Sequence, residues 1–478
     1  MKKIGKRMLS LLLCIALIGG VLSVSVAAEA APYRYVALGD SCSMGYILND
    51  FDWSHNHKDK ENGASAFANF ANMMRYLKDT WHLQNIDGTD LSLTGCRPTE
   101  FRAILDTEYY ARFCDGNEKT DLNYCDHHLD QYFASWSGNE SYEQLHNKYV
   151  ETIASADLIT FDMIMADTGS LVAGLVGNAE YQYGYASYSE LLKAEGCEFL
   201  GGSVEALRAS LEAILGDGAA QLTGLVDSML CAYAADVINF TRCMELIYDL
   251  NPDVNLIVVG PSNVFEGIWM DVGGIMIPFG DVYSVLLEAL TSYMILNPYS
   301  WRYRFADCSG GVETLREALA KGETEEYSYL VDQILQRSLG SKYKKTYSAE
   351  QIEEMKERIV YACGLKKFSL DVYLNGAGNV KLALLGDESA TEEDYEALCV
   401  AVMQGLDHAA GNHPDKVGYQ QKFEAIKRAF LSPVAANGAY LTRILDGTVG
   451  IVNNTVLLLI ETVLNVIRTL LGIPAKLL

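Results

Sequence analysis

This sequence has little proline, and it has no internal repeat and no low-complexity stretch. Only nine of its 478 residues are proline, whereas half are apolar. The absence of a repeat excludes a solenoid, and the apolar content excludes a chain too polar to build a core. We expect one large, elaborated domain, because the candidate functional residues near both ends of the chain must reach one site.

Basic residues are also scarce. The chain has 37 lysines and arginines against 62 aspartates and glutamates, and its net charge is −25. Such a surface repels nucleic acid and anionic membranes, and it favours cations or neutral substrates. The composition therefore predicts no nucleic-acid partner.

The eleven cysteines contain no Cys-x-x-Cys motif. Cys231 and Cys399 lie in apolar helical patterns, where a cysteine usually behaves as a small core residue. In an oxidising compartment Cys114 and Cys125 would be the first local pair to consider, although their spacing does not establish a disulfide.

Metal-ligand spacing is missing as well. His55 and His57 lie near Asp52 and Asp59, and a second acidic and histidine-rich group occupies residues 126–128. Neither group has the convergent helical spacing of a zinc site. We interpret both as solvated loops and expect no metal.

Residues 1–30 have the pattern of an export signal, with a basic start, an apolar centre and a small-x-small motif at Ala28-Glu29-Ala30. The apolar stretch from Met8 to Val26 is too short and too well terminated for a permanent membrane anchor. We therefore expect a bacterial protein that is secreted or held at the cell surface. Without this segment the chain has 33 basic and 61 acidic residues, and its net charge is −28.

Apolar strands that alternate with amphipathic helices predict βαβ units and a parallel sheet of about five strands. The predicted strands are Tyr33–Leu38, one that ends at Leu91–Gly95, Ala156–Met163, Asn255–Val259, and a fifth within Phe368–Leu374 or Val380–Leu385. Helices are predicted at Ala64–Leu77, from about Pro98, and at Val204–Leu250 with a break at 216–218. Two more are predicted later in the chain. The first is capped by Ser348 and Gln351 and ends near Cys363, and the second runs from Thr391 to Asp407.

Three insertions interrupt this alternation, at about 106–148, 170–203 and 265–346. A tail at 441–478 has apolar and polar stripes at helical spacing, which indicate an amphipathic helix. Polar side chains interrupt its middle, so the pattern favours packing on the domain or on a partner over contact with a membrane.

One motif carries chemistry. The segment YVALGDSCSMG at residues 35–45 is an apolar strand that leads directly into Gly39-Asp40-Ser41. Open α/β sheets bind their ligands at the carboxyl ends of the strands, and this strand presents a serine hydroxyl there. Far along the chain, His413-Pro414 precedes a glycine and then a helix, and this histidine is the candidate base.

Together these segments resemble the first and last blocks of the SGNH (GDSL-type) hydrolases. The resemblance implies a three-layer α/β/α, flavodoxin-like domain at about 31–440. It also implies that Ser41 is the nucleophile and His413 the base. The amides of Ser41 and Gly95 would then form the oxyanion hole, and no cofactor is implied.

Two positions depart from the family pattern. Ala166 stands where the family has an oxyanion-binding asparagine, and Ala410 stands where it has the aspartate that orients the histidine. Asp407 is a candidate replacement for that aspartate, while Asp167 and Asn263 are further polar residues that could reach the sheet edge. Loss of such supports lowers the rates of serine hydrolases by orders of magnitude.

We therefore expect an exported esterase that acts on an acyl or acetyl ester of a small molecule, lipid or carbohydrate. The alternative is a catalytically weakened or silent binding protein that uses the same cleft for a carbohydrate or cell-envelope component. Labelling by a serine-directed fluorophosphonate separates the two.

Overall fold

A computed structural model describes residues 31–52, 58–93, 95–114, 141–163, 187–404 and 413–437. Within these residues the strands are β1 (Tyr33–Gly39), β2 (Ile86–Asp90), β3 (Leu158–Asp162), β4 (Asn255–Val259), β5 (Trp269–Val272), β6 (Ile275–Ile277), β7 (Arg304–Ala306) and β8 (Lys367–Ser369).

The α-helices of the same residues follow in chain order. They are α1 (Ser41–Met44), α2 (Asn69–Asp79), α3 (Pro98–Leu105), α4 (Thr107–Cys114), α5 (Tyr142–Ser155), α6 (Tyr188–Ala194), α7 (Gly201–Leu215), α8 (Thr223–Leu250), α9 (Phe279–Leu296), α10 (Leu315–Ala320), α11 (Ser328–Leu339), α12 (Tyr343–Thr346), α13 (Ala349–Cys363), α14 (Leu370–Asn375), α15 (Val380–Leu385), α16 (Glu392–Gln404) and α17 (Lys416–Leu431). Short 3₁₀ turns lie at Glu198–Leu200 and Gly216–Gly218.

The main sheet has five parallel strands in the order β2-β1-β3-β4-β7. Tyr35 in β1 is paired with Gly88 of β2 on one side and with Leu158 of β3 on the other. Counted along the sheet strands alone, this is the 2-1-3-4-5 order of doubly wound, flavodoxin-like folds. The predicted α/β fold class with a parallel sheet is confirmed.

Alternation along the strands divides the core into two layers, because successive side chains point to opposite faces. Tyr35, Ala37 and Ile257 lie on the face that α2 and α17 cover. Val36 and Leu38 lie on the other face, which packs against α3, α5 and α8. Helices therefore cover both faces, as the three-layer prediction requires.

The predicted position of the fifth strand was wrong. It is β7, a three-residue strand inside the segment 265–346 that was expected to be a helical insertion. Within Phe368–Leu374, the first two residues end β8, which joins a separate sheet of order β6-β5-β8, and the rest begin α14. Val380–Leu385 is a helix. The physical reason is local, since the Asn379 side chain accepts hydrogen bonds from the amides of Lys381 and Leu382 and so caps α15.

Most helix predictions agree with the structure. Ser348 and Gln351 form a capping box at the start of α13, and the break near 216–218 separates α7 from α8. In the described part of the chain one helix, α9, is long and apolar enough to cross a membrane. About 56% of it is buried, as in a core helix of a folded domain. The export segment, Cys125 and the tail at 441–478 lie outside the described residues.

Candidate active site

The sharp turn after β1 places Ser41 at the carboxyl edge of the sheet. Asp40 has an extended backbone and caps α1, because its Oδ1 accepts a hydrogen bond of 2.7 Å from the amide of Cys42. A Cβ atom on Gly39 would lie 1.8 Å from Ser43 Oγ, so only glycine fits before this turn. Ser41 is thereby fixed as the first residue of a four-residue helix.

Backbone hydrogen bonds fix His413 on the loop that precedes α17. The carbonyl of His413 accepts a hydrogen bond of 3.0 Å from the amide of Leu315, and the amide of Asp415 donates to the carbonyl of Glu313 at 3.0 Å. Asp415 then caps α17 by accepting from the amide of Gly418 at 2.7 Å. The histidine loop is therefore held between the start of α10 and the start of α17.

These two turns bring together side chains that are 372 residues apart in the sequence. His413 Nε2 lies 2.7 Å from Ser41 Oγ, which is hydrogen-bond distance. Both residues are buried, with 8% of Ser41 and 6% of His413 exposed. The ring of Tyr46 lies beside the imidazole, with 5.2 Å between the ring centroids.

A buried ion pair lies beneath the serine turn. Lys422 Nζ lies 2.7 Å from Asp162 Oδ2, and Asn69 Nδ2 donates to the same carboxylate oxygen at 3.2 Å. Lys422 also donates to the carbonyl of Cys42 at 3.1 Å. Burial acts to lower the pKa of Lys422, but the Asp162 carboxylate outweighs it and raises that pKa, so the side chain stays charged.

The end of β2 supports the serine turn from the other side. Ser43 Oγ donates to Ser92 Oγ at 3.0 Å, and the amide of Ser92 donates to Asp90 Oδ1 at 3.0 Å. Burial raises the pKa of Asp90 from 3.8 to about 6. Burial also raises the pKa of the neighbouring Cys42 thiol well above its usual value, so Cys42 is not a competing thiolate nucleophile.

The sequence singles out two amides as candidate oxyanion donors. The N–H of Ser41, at the first position of α1, and the N–H of Gly95 donate to no acceptor among the described residues. Gly95 has a left-handed backbone with φ of +69° and lies in the segment that follows β2. The structure thus leaves unpaired the two N–H groups that the sequence singled out.

The other predicted supports have different outcomes. Asp407, Ala410, Ala166 and Asp167 lie outside the described residues, as do His55, His57 and residues 126–128. Asn263 does not serve the site, because its Nδ2 donates to the carbonyl of Gly280 at 3.0 Å and to Ser284 Oγ at 2.9 Å. It fixes the turn before α9 instead.

Sequence reasoning missed Lys422, Tyr419, Asp162 and Asn69. A signal existed for Lys422, because it lies within the i, i+4, i+7 apolar stripe of α17 that Tyr419, Phe423 and Ile426 form. A lysine on the apolar face of a helix becomes buried, and a buried lysine needs a partner for its charge.

A groove of about 920 Å³ lies between α2, α17 and the loop after β7. Phe67, Arg75, Val312 and Lys416 are among its lining residues, whereas Ser41 and His413 are not. The groove is therefore separate from the serine and histidine side chains.

Comparison with known proteins adds little. No protein-family model and no curated protein matches the sequence. Two solved structures that the fold resembles are the lipase Lip_vut3 from a goat rumen metagenome and an extracellular lipase from Streptomyces rimosus. Each is 12% identical to this chain. The similarity spans 58% of this chain in both cases, 81% of the first lipase and 85% of the second. The TM-scores of 0.28 and 0.29 are too low to bear on function, so the fold class rests on the observed sheet order.

Proposed function

We propose that this protein is an exported serine hydrolase of the SGNH kind that cleaves carboxylic esters. The observation that carries the proposal is the 2.7 Å contact between Ser41 Oγ and His413 Nε2 at the carboxyl edge of the parallel sheet. A hydroxyl held against an imidazole is the arrangement that nucleophilic catalysis requires.

In the proposed reaction, Ser41 Oγ attacks the ester carbonyl carbon and His413 Nε2 takes the hydroxyl proton. The tetrahedral intermediate collapses when the carbon–oxygen bond to the alcohol breaks, and the imidazolium returns the proton to the departing alkoxide. Water then attacks the acyl-serine while His413 Nε2 takes its proton. The bond from the acyl carbon to Ser41 Oγ breaks, the imidazolium returns the proton to Oγ, and the acid is released. No cofactor takes part in these steps.

Negative charge develops on the carbonyl oxygen during both attacks. The unpaired N–H groups of Ser41 and Gly95 are the donors proposed for that oxygen. A pair of backbone donors would partly offset the side-chain donor that Ala166 cannot provide.

The net charge of −25 limits the substrate class. A strongly acidic surface disfavours anionic esters and favours neutral or cationic ones. Acyl or acetyl esters of neutral small molecules, lipids or carbohydrates are therefore the proposed substrates. The N-terminal pattern supports export from a bacterial cell.

A fluorophosphonate probe with peptide mapping tests this proposal. We expect one phosphonylated peptide, modified at Ser41, and at least hundredfold slower labelling of His413→Gln, which keeps a polar side chain but removes the base. His146→Gln is the matched control, because His146 Nδ1 contacts the Ile104 carbonyl on α3, and it should be labelled at the wild-type rate. Failure to label Ser41 in the folded protein would favour the silent binding protein.

A further inference from the structure

The helix that follows the candidate base also holds the candidate nucleophile. Tyr419, one turn into α17, has a hydroxyl that donates to the carbonyl of Ser41 at 3.2 Å and accepts from the amide of Gly45 at 3.0 Å. One side chain thus bridges the first residue of α1 and its C-terminal capping residue. Tyr419 is fully buried, so this hydroxyl has little freedom to find other partners.

Lys422 repeats this contact one turn further along. Its Nζ donates to the Cys42 carbonyl at 3.1 Å and is anchored by Asp162 at the end of β3. Tyr419 and Lys422 are three residues apart, so they lie on the same face of α17. Side chains on that face therefore donate hydrogen bonds to the backbone carbonyls of two consecutive residues, Ser41 and Cys42.

The same helix is rigidly joined to His413. Asp415 caps α17 and Gly418 packs so closely on residue 313 that a Cβ atom would lie 2.1 Å from the Glu313 carbonyl. The position of the imidazole and that of the serine turn therefore both depend on where α17 lies.

We infer that Tyr419 and Lys422 are positioning residues of the Ser41–His413 pair, which α17 holds in register through the carbonyls of Ser41 and Cys42. The inference rests on the proposed function, in which the 2.7 Å contact is the reacting one. Neither side chain touches substrate in this scheme. A misplacement of about 1 Å in such a pair can cost about 10²-fold in rate, although the fold remains intact.

Tyr419→Phe is the decisive variant, because it removes one oxygen from a buried ring without changing its shape. We expect the kcat for p-nitrophenyl acetate and the rate of fluorophosphonate labelling to fall at least about tenfold, with KM nearly unchanged. Tyr233→Phe is the matched control, because this buried tyrosine shares a hydrogen bond of 2.7 Å with Ser203 on α7 and is not among the residues described as contacting Ser41 or His413. Both variants lose one buried hydroxyl, so their melting temperatures should fall by similar amounts.

A double variant tests Lys422 without leaving a buried charge. Lys422→Met with Asp162→Asn removes both members of the ion pair and the donor to Cys42, and kcat should again fall at least about tenfold with little change in KM. Wild-type rates in Tyr419→Phe and in the double variant would overturn the inference. Ser41→Ala separates this failure from that of the proposed function, because full activity or labelling in Ser41→Ala would overturn the function itself.

Discussion

The carboxyl edge of the main sheet and the helical segment 315–404 are stabilised in different ways. At the sheet edge charged groups are buried against one another, and the side chains of Lys422 and Asp162 are only 1% and 5% exposed. In the helical segment most buried residues are apolar, such as Leu335 and Ile359, although the Arg316 guanidinium is also buried and donates to the Cys363 carbonyl. The ion pairs described in this segment each have a partner at the surface. Lys356, for example, pairs with Glu353, whose side chain is 64% exposed.

The difference separates fixed geometry from mere stability. A buried charge has few alternative partners, so its position is determined, and removing its partner is costly. An exposed pair is solvated in either case and contributes at most about 1 kcal/mol. A buried ion pair therefore fixes the turn at Ser41, whereas the ion pairs of the helical segment are exposed and do little to fix its geometry.

Ser41→Ala should produce the largest effect. Without the hydroxyl no acyl-enzyme forms, so kcat for a small ester such as p-nitrophenyl acetate should fall at least about 10³-fold. The melting temperature should change little, because the hydrogen bond from the amide of Cys42 to Asp40 Oδ1, which caps the turn, does not involve the Ser41 hydroxyl. Steady-state kinetics and a thermal melt measure the two quantities. Ser210→Ala, on the exposed side of α7, is a matched control that should keep wild-type kinetics.

The sequence singles out Ser41 and His413, whose side chains lie 2.7 Å apart, because the backbone signals around them are local. Gly39 before Ser41 is a short-range feature, because a Cβ atom there would lie 1.8 Å from Ser43 Oγ, and a Cβ atom on Gly418, after His413-Pro414, would lie 2.1 Å from the Glu313 carbonyl. The strands β3 and β4 are likewise predictable, because continuous apolar runs mark strands that are buried on both faces. The contact between Ser41 and His413 required only that both loops reach the same edge of the sheet.

What could not be predicted was decided by tertiary contacts. β7 has only three residues, Arg304 to Ala306, and no pattern of its own, so only pairing with β4 makes it a strand. Nothing local indicates that Lys422 reaches Asp162, which lies 260 residues earlier, although its place on an apolar helix face shows that it needs a partner. The proposed role of Asp407 stays a prediction.

Lys422→Met should produce the largest change in stability. Methionine keeps the length and apolar body of the side chain, but the buried Asp162 carboxylate loses its cation. We expect a loss of about 3–5 kcal/mol in the free energy of unfolding, measured by urea titration at pH 7. A loss below about 1 kcal/mol would show that the sheet edge tolerates an unpaired carboxylate and would remove the contrast with the helical segment.

Titration of Asp90 should produce a smaller effect, and it depends on pH. Burial raises its pKa from 3.8 to about 6, so between these values the folded chain keeps a proton that the unfolded chain releases. Stability contributed by this group is therefore present at low pH and is lost as the pH rises to about 6, by about 3 kcal/mol in total. Asp90→Asn should lack this component, which is measured as the difference between the two unfolding free energies at pH 4.5 and pH 7.

Asp332 in the helical segment supplies the opposite sign. Partial burial acts to raise its pKa, but the Lys344 ammonium and the Tyr343 hydroxyl outweigh it and lower that pKa. Its contribution is therefore present at neutral pH and is lost on acidification. Asp332→Asn should reduce stability at pH 7 more than at pH 4, whereas Asp90→Asn should increase it at pH 7. If the change in unfolding free energy between wild type and variant depended on pH with the same sign for Asp90→Asn and Asp332→Asn, the opposite directions assigned to the two pKa shifts would be contradicted.

Lys356→Met should produce the smallest effect. This lysine on α13 contacts Glu353 at 2.9 Å and Glu325 at 2.6 Å, yet both carboxylates are largely exposed. Methionine retains the aliphatic stem, so only the charge interaction is lost, and we expect a change below about 1 kcal/mol in the same urea titration. The effect should shrink further in 1 M salt, which screens exposed pairs but not the buried Lys422–Asp162 pair. A Lys356→Met variant as unstable as Lys422→Met would show that burial does not set the strength of ion pairs in this protein, and the distinction between its two regions would fail.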